Sequence, residues 1–288
     1  MKEERLTIQA VKELKRAFTH GGKFHSDDVF AAALLKYLNP DIIIERGFQI
    51  PEDYDGVVFD IGFGKYDHHQ KDARVRENEI PYAAFGLLWE ELGAEILGEE
   101  AAKDLDEKFI QPLDLSDNTG CDNQIAELIS LYNPNWNESA STDERFMQAV
   151  ELAKTILERK FLKIKSVQKA CNLLEPEVRK AENGILILKH YVPWKKAVEG
   201  TEIVYVIYHS QRGGFAAQAV EDENGEMKSP FPEEWRGKSD QDLAEASKIE
   251  GLTFCHKSGF LIAGDTLDTI WKACKLACEK NKQRNQSK

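Results

Sequence analysis

The sequence predicts an α/β protein, with a mostly parallel sheet in its first half joined by a long helix to a smaller α+β domain. Three observations carry this. Continuous apolar strands alternate with helix-length patterns through the first half, as in sheets covered on both faces. A very long helical pattern then runs from about 142 to 180. After it come closely spaced strand-like runs and one closing helix. The expected boundaries are 1–140 for the first domain, 141–181 for the helical connector and 182–288 for the second domain.

The elements follow from local patterning. Residues 16–20 read as a strand end, broken by Gly21-Gly22. From Ser26 or Asp27, the spacing of Val29, Ala32, Ala33, Leu35 and Leu38 is helical and stops at Asn39-Pro40. Strands are expected at 41–46 and 56–61, and a helix from Pro81 through Leu87, Leu88, Trp89 and Leu92. The turn formers at 133–139 mark a loop. The long helix that follows is expected to break near Glu175-Pro176. Strands are then expected at 185–188, 202–208, 214–220 and 252–256, a helix at 266–278, and a polar tail at 279–286.

A length of 288 residues allows one large domain or two of ordinary size, each with apolar material for a core. The apolar runs are strand-sized, so no membrane span is expected. The opening Met1-Lys2-Glu3-Glu4-Arg5 is not followed by a signal-like apolar stretch. Five scattered cysteines, an odd number, point to a reducing, cytoplasmic setting rather than a disulfide framework. The formal charge of −12 argues against coating nucleic acid by charge alone, though it says nothing about a small site.

The chemistry concentrates in two windows. Thr19-His20-Gly21-Gly22-Lys23-Phe24-His25-Ser26-Asp27-Asp28 spans a glycine turn into a helix N-terminus, beyond the carboxyl end of a strand, where open α/β sheets bind ligands. Either aspartate alone reads as a helix cap. Phe59-Asp60-Ile61-Gly62-Phe63-Gly64-Lys65-Tyr66-Asp67-His68-His69-Gln70 places one carboxylate at a strand end and an Asp-His-His triplet soon after. Together the windows form a His/Asp set of the kind that binds two divalent metals. Imidazole and carboxylate without thiolate favour Mn²⁺, with Mg²⁺, Fe²⁺ or Zn²⁺ as alternatives. A third acidic stretch, Asp114-Leu115-Ser116-Asp117-Asn118-Thr119-Gly120, reads by itself as a turn.

These motifs resemble the DHH superfamily of metal-dependent phosphoesterases, named for a triplet like Asp67-His68-His69, and within it the melanocyte proliferating gene (MYG) family. The similarity also includes Phe231-Pro232-Glu233-Glu234-Trp235-Arg236-Gly237 and Phe254-Cys255-His256-Lys257-Ser258-Gly259-Phe260, and so spans nearly the whole chain. The resemblance implies a Rossmann-like, DHH-type catalytic domain and 3′-to-5′ exoribonuclease activity. It implies His20, His25, Asp27, Asp60 and His68 as metal ligands, with Asp60 bridging and the last acidic ligand either Asp114 or Asp117. His69 would face the substrate phosphate, and Arg212, His256, Ser258 and Gly259 would hold the substrate.

Blander readings apply to several of these. Arg212 beside Gly213-Gly214 suits a hairpin, and His256 suits a packed strand. Lys160, Lys163, Lys165 and Lys169 suit a solvated helix face rather than an RNA guide, and Trp194, Trp235 and Trp271 suit core packing rather than base stacking. Rival functions are a phosphoesterase for short oligonucleotides, cyclic dinucleotides or pyrophosphate, and a metal-binding regulatory protein without turnover. The oligomeric state is not legible.

Overall fold

In the computed structural model, residues 5–286 are described; residues 1–4 of the opening motif lie outside them. By internal contacts the chain divides into two compact units, Met1–Ile164 and Lys165–Lys288.

The first unit begins with α1 (Ile8–Glu13), β1 (Arg16–His20), α2 (Ser26–Leu38), β2 (Ile43–Gly47) and β3 (Val57–Val58). The strands form a parallel sheet of order β2-β1-β3, as the continuous apolar strands predict. Parallel pairing sends every connection back across a face, so the three carboxyl ends point one way. α2 is apolar on nearly all sides, and Val29 through Leu35 are fully buried. Phe30 stacks on Phe85 at 5.4 Å and meets Phe109 edge-on at 5.5 Å, tying α2 to the helices that follow.

Those helices are α3 (Ala84–Leu97), α4 (Glu99–Leu105), a π turn (Asp106–Ile110), α5 (Gln111–Thr119) and α6 (Gln124–Ser130). α7 (Thr142–Arg179) then crosses the division between the units and contributes Phe161 to the first core and Leu174 to the second.

The second unit holds β4 (Ile185–Ile187), β5 (Tyr205–His209), β6 (Phe215–Ala219), α8 (Asp240–Ser247), β7 (Leu252–Cys255), β8 (Leu261–Gly264) and α9 (Leu267–Gln286). Its sheet runs β4-β5-β6-β8-β7, with only the β4–β5 pair parallel. The mixed sheet and its helices make this unit α+β.

Several local expectations need correction. β3 is only two residues long because Asp60 adopts a left-handed φ of 57°, which ends the strand and turns the chain. Pro81 does not open a helix. It bridges to Val75, its carbonyl accepts from Arg76, and α3 starts at Ala84. Residues 112–119 are helix rather than turn, and the turn comes at Gly120, whose φ of 71° caps α5. α7 runs through Pro176 for less than one further turn. The polar tail continues α9 to Gln286, while α8 and the short β8 carry patterns too weak to read.

Candidate metal centre

The site is built at the carboxyl end of the first sheet. β1 delivers His20. The chain then doubles back at Gly21, where any side chain would press on Gly47, 3.3 Å from a Cβ position. The N-terminus of α2 follows, with Asp27 and Asp28 in its first turn. Asp60 sits two residues beyond β3, its amide donating to the Tyr66 carbonyl at 2.9 Å. The loop returns through Asp67 to His68 and His69, and α5 adds Asp117 and Asn118.

These groups converge. His20 Nε2 lies 3.2 Å from Asp28 Oδ2 and 3.2 Å from Asp60 Oδ2. His68 Nε2 lies 3.1 Å from Asp60 Oδ1, 3.3 Å from Asp117 Oδ2 and 3.5 Å from Asp27 Oδ2. His25 Nδ1 lies 3.7 Å from Asp117 Oδ1. Asp60 thus faces half-buried His20 and buried His68, one through each oxygen. Donor sets tight enough for one ion are His20, Asp28 and Asp60; His25, Asp27 and Asp117; and Asp60, His68 and His69.

Neighbours fix the tautomers. His20 Nδ1 is 3.0 Å from the Gly21 carbonyl, and His68 Nδ1 is 3.3 Å from Asn118 Oδ1. Asn118 Nδ2 donates to the Tyr82 and Asp114 carbonyls, so its oxygen must be the atom facing His68. Both acceptors require a proton on Nδ1, so Nε2 is the nitrogen that faces the carboxylates and would be the one to ligate a cation on giving up its own proton. Asp67 orients the loop: Oδ2 accepts from the Phe63 amide at 2.6 Å, while Oδ1 accepts from the His68 amide at 2.8 Å and faces His69 Nδ1 at 2.7 Å. The first residue of the triplet is therefore a positioning group.

The electrostatics reflect carboxylates that outnumber their counter-charges. Burial opposes a charge on His20, but hydrogen bonds to Asp28 and Asp60 and the Asp28 charge push it up to about 11. His68 rises to about 11 in the same way, with Asp27 and Asp60 overcoming burial. Burial, with repulsion from Asp27 and Asp60, lifts Asp28 to about 7 despite His20. Burial and the Asp27 charge lift Asp117 to about 9. Burial would raise Asp27 too, but the His68 bond and charge bring it down to about 2. Asp27 Oδ1 remains buried without a hydrogen-bond donor. Oxygen and imidazole donors, locked tautomers and an orphaned carboxylate oxygen all fit hard divalent cations.

Of the two open aspartates, the structure brings only Asp117 to the cluster. Asp114 is turned away, with Oδ2 accepting from Arg76 Nη2 at 2.7 Å and Oδ1 from the Gly86 amide at 3.3 Å. Burial pushes it up to about 7 against the pull of Arg76. Asp28 combines both readings of the first window: Oδ1 caps the His25 amide at 3.0 Å while Oδ2 faces His20. Sequence reasoning passed over Asn118 and Arg76; the only signal for Asn118 is its place beside Asp117.

Within the second unit, the other predicted residues do not form one group. Arg212 lies in the β5–β6 hairpin, at the end of β6 where Phe215 pairs with Gly264. His256, Ser258 and Gly259 form the β7–β8 turn, at the end where Gln218 pairs with Leu261. Three residues of strand, about 10 Å, separate the two ends. His256 Nδ1 contacts Ser258 Oγ at 2.9 Å, and the Phe231 amide donates to the Gly259 carbonyl at 2.9 Å. The 231–237 and 254–260 strings therefore meet in space. Trp194 and Trp235 are buried, and Trp271 packs on the apolar cluster around Trp235 and Ile262, distinct from the one that holds Leu174 and Trp194. Lys160 lies over the Phe109 ring at 3.8 Å, while Lys163, Lys165 and Lys169 are exposed. No described helix is long and apolar enough to cross a membrane.

Comparison with known proteins places this geometry. A family model named MYG1_exonuc, described as uncharacterised protein family UPF0160, matches residues 16–278. The chain is 26% identical to the MYG1 exonuclease of Mus musculus over 305 residues, covering 85% of this chain and 80% of that one. It is 25% identical to a MYG1 protein of Schizosaccharomyces pombe over 324 residues, covering 93% and 99%. It is 27% identical to the MYG1 protein of Dictyostelium discoideum over 299 residues, covering 84% and 90%. No solved structure matches significantly. The matched span runs from β1 into α9 and includes every side chain of the cluster, so the chain belongs to the MYG1 family.

Proposed function

We propose that this protein is a divalent-metal-dependent phosphodiester hydrolase, acting as a 3′-to-5′ exoribonuclease that releases nucleoside monophosphates. One observation carries the reading: His20, Asp28, Asp60, His68, Asp27, Asp117 and His25 converge at the carboxyl end of a parallel sheet, with Asp60 facing the imidazoles of both His20 and His68. The exonuclease names of the mammalian relatives and the resemblance to the DHH superfamily support the phosphodiester substrate.

Two cations, Mn²⁺ by donor type, would be held by these residues, with Asp60 shared and Asp117 rather than Asp114 as the last acidic ligand. When bound, they supply Lewis-acid stabilisation of charge on the phosphate and a lowered pKa for the attacking water. The protein's own groups do the positioning. Asp67 Oδ1 faces His69 Nδ1 at 2.7 Å, which leaves Nε2 as the ring nitrogen for contact with a non-bridging phosphate oxygen. Asn118 and the Gly21 carbonyl keep His68 and His20 in the ligating tautomer. Burial of Asp27, Asp28 and Asp60 keeps water from screening these charges. In the second unit, the turn carrying His256, Ser258 and Gly259 is a further proposed substrate contact; Arg212 belongs to a different end of that sheet.

The test is digestion of a 5′-labelled RNA by the full chain with Mn²⁺. Stepwise shortening from the 3′ end with mononucleotide release is expected, and Asp60→Asn should reduce it about a hundredfold or more. An Asp60→Asn protein that digests RNA as fast as the parent overturns the site. Bound metal should fall in Asp117→Asn and persist in Asp114→Asn. A parent that ignores this RNA but cleaves dinucleotides would make the enzyme a short-oligonucleotide phosphoesterase instead.

A further inference from the structure

We propose that Phe48 and Phe63 form a nucleobase-stacking subsite on the cavity into which the histidine–aspartate cluster opens, an inference that rests on the phosphodiesterase reading above. The cavity, of about 710 Å³, is lined by His20, Asp60 and His69 and also by Phe48, Ile50 and Phe63. Its volume is in the range of small-ligand sites. Phe48 is 81% exposed and Phe63 is 71% exposed. Phenylalanine is ordinarily among the most buried residue types, so two on one polar cavity call for an explanation.

Phe63 is held by its backbone, and Phe48 stands beside Gly22. Phe63 takes a left-handed φ of 56°, a conformation that a bulky residue rarely adopts and that clusters at functional sites. Its amide donates to Asp67 Oδ2, and the other oxygen of that carboxylate orients His69. A single side chain therefore positions an aromatic ring and the proposed phosphate-facing histidine together. Gly62, with φ 88°, precedes it, and Ile50 Cδ1 occupies the space a Cβ would need. Phe48 directly follows β2, and its ring edge lies 3.3 Å from where a Cβ on Gly22 would be. The pair thus stands at the same carboxyl-terminal sheet edge as His20 and Asp60.

The occupant follows from the neighbours. A cluster suited to a phosphodiester sits on the same cavity as two flat, uncharged faces, and a nucleotide carries both complements. Every base has a π-face, so the subsite should tolerate any base. Ribose or inorganic phosphate alone would leave the rings unused.

The experiment compares RNA bearing a normal 3′-terminal nucleotide with the same RNA abasic at that position, in the presence of Mn²⁺. The parent should favour the base-bearing substrate by about 5- to 150-fold in kcat/KM. That ratio should collapse toward one in Phe48→Ala and Phe63→Ala, and Phe48→Tyr and Phe63→Tyr should restore it. An unchanged ratio in both alanine variants overturns the subsite while leaving the hydrolase reading intact. If the parent hydrolyses neither RNA, the exoribonuclease reading fails separately, and binding decides. AMP should then bind the Mn²⁺-loaded parent more tightly than ribose 5-phosphate, with the difference lost in Phe48→Ala/Phe63→Ala. Equal affinities for the two ligands in the parent would overturn the proposal.

Discussion

Asn118 shows how much a single neutral side chain controls at this centre. Its carboxamide is pinned by two backbone carbonyls, so its oxygen can only accept from His68 Nδ1. Asn118→Leu removes that acceptor and frees the ring to adopt the other tautomer. A loss of about 10- to 100-fold in Mn²⁺ affinity is expected, measured by metal titration of the folded protein. If Asn118→Leu binds Mn²⁺ as tightly as the parent, the tautomer argument is wrong. The histidine windows were legible because their members are near neighbours in sequence. The choice between Asp114 and Asp117 was not, since three residues on a helix turn a side chain by most of a turn and only the surroundings say which one faces the cluster.

At the scale of elements, Arg76 locks α5 against α3. Its guanidinium donates to Asp106 at 2.8 Å and to Asp114 at 2.7 Å, and Gly86 of α3 leaves the space these groups fill. Because α5 carries Asp117 and Asn118, this buried network sets where the cluster's last carboxylate stands. Arg76→Met should cost about 3–5 kcal/mol by stranding buried carboxylates. Burial already lifts Asp114 to about 7, so it can take up a proton in mild acid. The loss should therefore be larger above neutral pH than below it, as urea denaturation at several pH values would show. A variant within 1 kcal/mol of the parent at about pH 8 would sink this account. Periodicity made α2 and the parallel strands of the first half readable. It failed at β3 and Pro81, where a left-handed Asp60 and the Arg76 contact override local propensity.

For the whole molecule, the charge of −12 acquires a location. Four buried or nearly buried carboxylates, Asp27, Asp28, Asp60 and Asp117, meet at one place, and protons relieve their repulsion in the metal-free protein. His20 and His68, raised from 6.5 to about 11, stabilise the fold below pH 6.5, and that contribution is lost as pH rises toward 11. Asp28 at about 7 and Asp117 at about 9 act in the same direction, because the folded state again binds more protons than the unfolded chain. Asp27, lowered to about 2, opposes only in acid. Chelator-treated protein should thus lose stability from about pH 6.5 to 9, and Mn²⁺ should flatten the decline while expelling protons. Denaturation midpoints across that range check the first point, and calorimetry in buffers of different ionisation enthalpy checks the second. A flat chelated profile with no proton release would contradict the shared-proton description.

The sequence by itself determined the α/β class, the placement of His20, Asp27, Asp60 and His68 near strand or helix ends, and the family resemblance. These follow from short-range patterns: apolar runs, glycine breaks and a His pair. Tertiary structure alone decided that Asp117 joins the cluster, that Asp28 does so as well as capping α2, that Arg212 and His256 lie apart, and that Phe48 and Phe63 share the cavity. The physical reason is distance along the chain. Asp28 and Asp60, or Phe48 and Phe63, become neighbours only when parallel strands bring their carboxyl ends to one edge, and no local period records that meeting.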